Sequence, residues 1–229
     1  MKDWTVSHVM TKPAVFATET DSYRQVVNLL MEHRVSAVPV IDAFERVTGV
    51  VSEADLLRKI EYVGEGDARF LEGRRRRHHR AKSMARTAGD LMSSPAVVVV
   101  QRTSIPAAAR IMDGEGVKRL PVVDDLGRLV GVVSRGDLLK VHLRPDEEIL
   151  RDVETSVLHP FLADDAATIS VTVLDGVVTL AGRVDRWSAA DLVARLIYQL
   201  PGVVEVLSTV SYTFDDRELV SSGKRRGSA

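Results

Sequence analysis

The chain has 229 residues, of which 45% are hydrophobic, 28% charged and 5% aromatic, with a net charge of −1 and no cysteine. Such a length exceeds the needs of one small domain, the few aromatics leave Val, Leu, Ile and Ala to build the cores, and the lack of cysteine excludes disulfides, thiolate metal sites and cysteine nucleophiles. Met1-Lys2-Asp3-Trp4-Thr5 is not the apolar run of a signal peptide, and no segment approaches the ~18 apolar residues of a membrane span, so a soluble cytoplasmic protein is expected.

From the N-terminus, Ala14-Val15-Phe16 reads as an extended start. Tyr23, Val26, Val27 and Leu30 follow at helical spacing. Val38-Pro39-Val40-Ile41 reads as a short strand, expected at a sheet edge or starting at its proline, because proline donates no ladder hydrogen bond. Val47-Thr48-Gly49-Val50-Val51 is the next strand, and a helix is expected from Ser52. The same plan then returns. Ala96 to Val99 is extended, and Ile105, Ala108, Ala109 and Met112 mark a helix, with Thr103 as its expected N-cap and Pro106 in its first turn. Leu120-Pro121-Val122-Val123 and Leu129-Val130-Gly131-Val132-Val133 are strands, and Ser134 opens a helix.

The two passages are one ungapped repeat, 82 residues apart. Gly49-Val50-Val51-Ser52-Glu53-Ala54-Asp55-Leu56-Leu57 returns as Gly131-Val132-Val133-Ser134-Arg135-Gly136-Asp137-Leu138-Leu139. Met10, Pro13, Ala14 and Val15 match Met92, Pro95, Ala96 and Val97; Val35, Pro39, Val40 and Asp42 match Val117, Pro121, Val122 and Asp124. A repeat of roughly 55–60 residues is one structural unit built twice, and like units pack about a local two-fold axis. The fold class expected is α+β, with two pseudo-symmetric β-α-β-β-α repeats forming one module and a further small domain behind them.

The Gly-apolar-apolar-Ser-x-x-Asp signature, the apolar-Pro-Val strand before it and the Met-x-x-Pro start together resemble a cystathionine-β-synthase (CBS) domain. The tandem resembles a CBS pair, over about residues 6–62 and 84–143. The resemblance implies a disc-like pseudo-two-fold module with adenosine-nucleotide sites in the cleft between repeats. It places Ser52, Asp55, Ser134 and Asp137 at the ribose. It sets the backbone of Ala37, Val38, Arg119 and Leu120, with Thr11 and Ser93, against the adenine. The chemistry agrees, since a carboxylate accepts two hydrogen bonds and a ribose offers two vicinal hydroxyls. A helix start adds backbone N–H groups facing an anion, and the strand glycine allows close backbone approach. Ser-x-x-Asp before Leu-Leu is also an acidic capping box that would serve the helix alone. Two copies in register favour the ligand reading, and both roles are compatible.

The copies differ in charge. Lys118 and Arg119 replace Ser36 and Ala37, and Arg135 replaces Glu53. Phosphates need cations or backbone donors, so Lys118, Arg119 and Arg135 are the expected phosphate contacts, against the plain alternative of solvated surface charge. Glu53 would repel a phosphate if it faced the same way. Unequal sites are expected.

The 63–83 stretch is read as a basic linker. It contains the run Arg74 to Arg77, then His78, His79, Arg80 and Lys82. It reads as solvated charge, as an anion patch, or as a dock for the acidic C-terminal region. Aromatics do not interleave and no nucleic-acid-binding motif accompanies it, so nucleic acid is not the expected partner. Adjacent, Arg-flanked histidines do not suit a metal.

After Pro145 the character changes. Asp146-Glu147-Glu148 opens a helix with apolar Ile149, Leu150, Val153 and Val157. Residues 168–173 alternate as a strand, Asp175-Gly176 signals a two-residue hairpin, and Val178-Thr179-Leu180 returns, followed by Gly182. Ser188 is the expected cap of a helix carrying Leu192, Val193, Leu196, Ile197 and Leu200. Pro201-Gly202 ends it, and a strand runs from Val204 to Tyr212. This α-β-β-α-β order, with Asp-Gly-Val-Val-Thr-Leu-x-Gly and Pro-Gly-Val, resembles a BON domain over about 146–214. BON domains are described as phospholipid-binding modules of envelope proteins. Here residues 144–220 carry 14 acids against six bases, which an anionic bilayer repels. A protein-interaction or oligomerisation role is expected instead, with membrane binding not expected.

The domain reading is thus 1–62 and 84–143 for the repeats, 63–83 for the linker, 144–214 for the BON-like domain and 215–229 for a disordered tail. No Gly-x-Ser-x-Gly elbow or Gly-Lys-Ser/Thr phosphate loop is present, and no catalytic or metal site is assigned. The functional expectation is a non-catalytic sensor of an adenosine nucleotide (AMP, ADP or ATP) that needs no other cofactor. The CBS resemblance implies a homodimer, and the BON-like module would relay the signal to a protein partner. The alternatives are a ligand-free dimerisation scaffold and an anionic-surface binder acting through the arginine run.

Overall fold

The structure, a computed structural model, describes residues 4–61 and 85–218. The arginine run from Arg74 to Lys82 and the chain after Glu218 lie outside the described residues, and so do the roles expected of them. The chain forms two compact units, Thr5–Leu138 and Leu139 onward together with Trp4.

In the first unit, one repeat runs α1 (Val6–Val9), β1 (Ala17–Thr18), α2 (Tyr23–Glu32), β2 (Ala37–Ile41), β3 (Val47–Ser52) and α3 (Glu53–Glu61). The other runs α4 (Ala88–Leu91), β4 (Val99–Val100), α5 (Ile105–Gly114), β5 (Arg119–Val123), β6 (Leu129–Ser134) and α6 (Arg135–Leu138). The β-α-β-β-α plan holds, each copy preceded by a one-turn helix that the apolar pattern was too short to reveal. At α4 a local box makes that turn: the Asp90 N–H donates to Thr87 Oγ1 and the Thr87 N–H donates to Asp90 Oδ2, both at 3.3 Å.

Three expectations need correction. Of the extended starts at 14–16 and 96–99, only Val99 joins a ladder, because β1 pairs only Ala17 with Val40 and Thr18 with Ile41, and β4 only Val99 with Val122 and Val100 with Val123. The proline strands are central rather than at an edge, in the orders β1-β2-β3 and β4-β5-β6. Proline is tolerated there because the short β1 and β4 do not reach as far as Pro39 or Pro121, so no partner needs the missing donor. The cap of α5 is Ser104, which accepts the Ala107 N–H at 3.4 Å. Thr103 is used elsewhere: its N–H closes a turn on the Val100 carbonyl and its own carbonyl accepts the Val6 N–H at 2.8 Å.

That last bond belongs to an exchange between the repeats. The opening segment of each copy packs on the other. Val6 and Ser7 donate to Thr103 and Gln101 of the second copy, while Ala88 and Gly89 donate to Asp21 and Glu19 of the first. Thr11 pairs with Val132 and Ser93 with Val50, each through two backbone hydrogen bonds. Ala88 and Leu91, both fully buried, complete the core formed by Val26, Leu30, Val38, Val40 and Val51 of the first copy. The first repeat therefore does not close its own core alone. The hairpin tips also meet, with Val47 donating to Gly127 and Leu129 to Glu45. There Asp42 and Asp124 each accept from an arginine four residues on, Arg46 and Arg128.

The second unit runs α7 (Asp146–Val153), a π turn (Glu154–Leu158), α8 (His159–Leu162), β7 (Ile169–Leu174), β8 (Val177–Arg186), α9 (Trp187–Tyr198) and β9 (Glu205–Phe214). Its sheet has the order β7-β8-β9, with β8 antiparallel to β7 and parallel to β9. Ile149, Val153, Val157, Leu180 and Ile197 are buried beneath it. Asp175 and Gly176, at φ 50° and 76°, form the two-residue turn that their sequence signals. The Asp146 carboxylate receives both turn N–H groups, at 2.8 and 2.9 Å, so an acid expected to serve the helix start also ties down the hairpin. Ser188 is not the cap of α9. It lies in the first turn and donates both its N–H and its hydroxyl to Asp216, whose residue is 4% exposed. A tail beginning at 215 therefore does not describe residues 215–218, because this carboxylate is built into the domain. Arg144, also buried, donates to the Pro201 carbonyl at 2.6 Å and pairs with Asp152 at 2.7 Å, with its guanidinium over Trp4.

Candidate functional site

The Ser-x-x-Asp segments close on themselves in both copies. Ser52 donates its N–H (3.0 Å) and hydroxyl (2.7 Å) to Asp55 Oδ2. Ser134 does the same to Asp137 Oδ2 at 2.8 and 2.6 Å, and the Asp137 N–H donates back to Ser134 Oγ. The capping box is therefore complete at Ser134, and its carboxylate half is present at Ser52. It also holds each carboxylate rigidly at a helix start, and Asp55 is only 6% exposed.

A cavity of about 410 Å³ opens beside the first of these boxes, entirely within the Thr5–Leu138 unit. Four pairs of repeat-equivalent residues line it: Ser36 with Lys118, Ala37 with Arg119, Pro39 with Pro121, and Val50 with Val132. The pseudo-two-fold relation thus runs through its floor. Its walls are one-sided. Ser52, Glu53, Ala54 and Asp55 form one, and Ser93, Pro95, Ala96 and Val97 another, without their repeat mates. The crossed packing of the opening segments explains this. Ser93, from the second copy, is bonded to β3 of the first and so arrives beside Asp55.

The cavity gathers the expected residues Ala37, Val38, Ser52, Asp55, Ser93, Lys118 and Arg119. Thr11, Leu120, Ser134, Arg135 and Asp137 do not line it. Thr11 is bonded to β6, the mirror position of Ser93 on β3. Arg135, expected beside Lys118 and Arg119 at the phosphate, does not line the cavity, although its N–H is bonded to the Lys118 carbonyl. Sequence reasoning passed over Ser36, Pro95, Val97 and Gly116 as lining residues. Ser36 was legible as the repeat mate of Lys118, whereas the others carried no chemical signal.

Two expectations about neighbours change. The strand glycines do not present bare backbone to the cavity: Met92 of one copy covers Gly49 of the other, and Met10 covers Gly131. Glu53 lines the same cavity as Lys118 and Arg119. Arg46–Asp42, Arg128–Asp124 and Arg102–Asp125 are ion pairs of this unit that lie outside the lining. The lining therefore combines an apolar floor of Pro and Val, a hydroxyl–carboxylate pair on one wall and two cations across from it. That arrangement suits a ligand with a flat apolar group, a hydroxylated middle and an anionic end. Among the described residues no cluster of metal-binding side chains occurs, and no helix is long and apolar enough to cross a membrane.

Fold, repeat and cavity define a paired regulatory-type module followed by a small α+β domain, and comparison with known proteins gives the family. The sequence profile of the CBS domain matches residues 6–62 and 88–144, and that of the BON domain matches 146–213. The chain belongs to the CBS-domain family, with two CBS domains and a C-terminal BON domain. It is 31% identical over 153 residues to the chloroplastic CBS domain-containing protein CBSX1 of Arabidopsis thaliana, an alignment covering 62% of this chain and 65% of the plant protein. It is 28% identical over 156 residues to the uncharacterized protein MJ1426 of Methanocaldococcus jannaschii, covering 59% of this chain and 89% of that one. The crystal structure of Arabidopsis CBSX2 in complex with AMP is similar with a TM-score of 0.54 and 32% identity, covering 61% of this chain and 97% of that one.

Proposed function

We infer that the chain is a non-catalytic regulatory protein that binds an adenosine nucleotide in the cavity between its CBS repeats. Ser52 and Asp55 hold the ribose, the backbone around Ala37, Val38 and Ser93 faces the adenine, and Lys118 and Arg119 receive phosphate. The observation that carries this reading is the cavity itself, which joins the hydroxyl–carboxylate pair of one repeat to the two cations of the other. The similar CBSX2 was solved with AMP, which supports an adenosine ligand here. Thr11, Arg119, Leu120, Ser134 and Asp137 form the repeat-related second position, with Arg135 in place of Glu53. Ligand binding would bias the packing of the repeats by its differential affinity for two states, and the BON domain would pass that bias to a protein partner. A homodimer through the CBS pair is part of the reading, as is a cytoplasmic setting.

Thermal unfolding with AMP, ADP, ATP, NAD and S-adenosylmethionine tests it. A ligand at 100-fold excess over its Kd stabilises by about 2.7 kcal/mol. Stabilisation by an adenosine nucleotide that disappears in Asp55→Asn is the expected result. No shift with any of the five would return the module to a ligand-free scaffold. That second reading draws on one observation: the Ser-x-x-Asp boxes are already satisfied internally.

A further inference from the structure

Glu53 is the first residue of α3 and lines the cavity together with Lys118 and Arg119. Its backbone is fixed there, since the Glu53 N–H donates to the Ser36 carbonyl at 3.0 Å and Ser36 itself lines the cavity. In the other repeat the Arg135 N–H donates to the Lys118 carbonyl at 3.1 Å. The two copies keep this backbone bond and reverse the charge of the side chain it carries. An acid in a first helical turn is favourable for the helix, but Arg135 at the equivalent position shows that the fold does not require one.

The charged lining is therefore of mixed sign. Lys118 and Arg119 share the lining with Glu53 and with Asp55, the latter closed onto Ser52. Two cations match the charge of one phosphate group. Each further phosphate adds negative charge to a space that already contains a carboxylate, and like charges brought together select against a ligand. We propose that Glu53 sets the ligand class of this cavity, admitting an adenosine that carries a single phosphate and rejecting the di- and triphosphates. The proposal rests on the nucleotide reading above.

The test is isothermal titration of the full chain with adenosine, AMP, ADP and ATP, without divalent cations and at one ionic strength. The wild type is compared with Glu53→Gln and Glu53→Arg, the latter copying the second repeat. Wild type should bind AMP more tightly than ATP. Glu53→Gln should raise the ATP affinity relative to AMP at least roughly threefold, and Glu53→Arg should raise it further. Adenosine, which carries no phosphate, should change less than ATP in both. An AMP-to-ATP ratio that stays the same in both variants overturns the role of Glu53 while leaving the nucleotide reading intact. Binding of none of the four by the wild type overturns both.

Discussion

Met92 packs its side chain over Gly49, so that a β-carbon on that glycine would stand 2.7 Å from Met92 Cγ and 2.9 Å from its Cβ. The repeat-related contact sets Met10 over Gly131, where a β-carbon would stand 2.8 Å from the sulfur and 3.0 Å from the Thr11 carbonyl oxygen. Each methionine opens one repeat and each glycine belongs to the other. The two most regular marks of the sequence, Met-x-x-Pro and Gly-Val-Val-Ser, are thus halves of one contact made twice. Gly49→Ala should destabilise the CBS pair by about 1–3 kcal/mol, the usual range for overpacking. Combining it with Met92→Ala should cost less than the sum of the two single changes, because both act on one contact. Urea unfolding midpoints of the four-variant cycle measure this, and strict additivity would show that the contact is not what constrains Gly49.

The capping boxes separate stability from binding. Ser52→Ala and Ser134→Ala each remove the hydroxyl bond to an aspartate at a helix start, and each should cost about 1 kcal/mol. Ser52 lines the cavity and Ser134 does not. Nucleotide affinity at this cavity should therefore fall in Ser52→Ala and hold in Ser134→Ala. Equal loss in both, by titration calorimetry, would show that the cavity is not the principal site.

Lys118→Ala and Arg119→Ala should each weaken AMP about tenfold, or 1.4 kcal/mol, as expected for losing a charge-assisted contact to phosphate. Adenosine should be affected far less. The AMP affinity of the wild type should also fall as salt rises, and that dependence should shrink in the variants.

The acid limb of stability has an assignable part. The Ser188 hydroxyl and N–H hold the Asp216 carboxyl below its ordinary range, and the backbone N–H of Arg46 and of Arg128 do the same for Asp42 and Asp124. A carboxyl whose folded pKa is depressed contributes stability that is complete above the unfolded value of about 3.9 and is lost as pH falls through the lower folded value. Asp216→Asn should lower the stability of the BON domain at pH 7 and flatten its loss below about pH 4. Chemical denaturation of the two proteins between pH 7 and pH 2.5, followed by the fluorescence of Trp187, records both effects. An unchanged acid limb in the variant would remove Asp216 from the account.

Arg144 is a buried cation of the second unit, with its side chain 4% exposed against 25% for Asp152. Arg144→Ala strands Asp152 and the Pro201 carbonyl and should destabilise by about 3 kcal/mol. Arg144→Met, which keeps the volume over Trp4, should cost less. Denaturant unfolding checks the order, and an equal or smaller loss in the alanine variant would show that pairing alone, and not packing over Trp4, sets the role of Arg144.

Much of this protein is written locally. The 82-residue register, the Asp175-Gly176 turn and the periodicity of α2, α5 and α9 depend on residues close in the chain, so the sequence by itself determined the element plan, the two repeats and the α-β-β-α-β domain after them. The misplaced caps are informative in this respect. Thr103 and Ser188 both have the right chemistry for a cap, but the helix after Thr103 starts one residue later, at the Ser104 cap, and the N–H and hydroxyl of Ser188 are claimed by Asp216, which is remote in sequence. The same reason governs the site. Ser52 and Asp55 were visible because they lie three residues apart. The resemblance and the comparison of the copies supplied Ser93, Lys118 and Arg119, but not their meeting with this Ser-Asp pair rather than the other, because Ser93 arrives only through the opening segment that one repeat lends to the other. Only the tertiary structure decided that Glu53 and two cations share one cavity while Arg135 stands outside it, since burial and crossed packing set which side chains of a symmetric sequence face the same space.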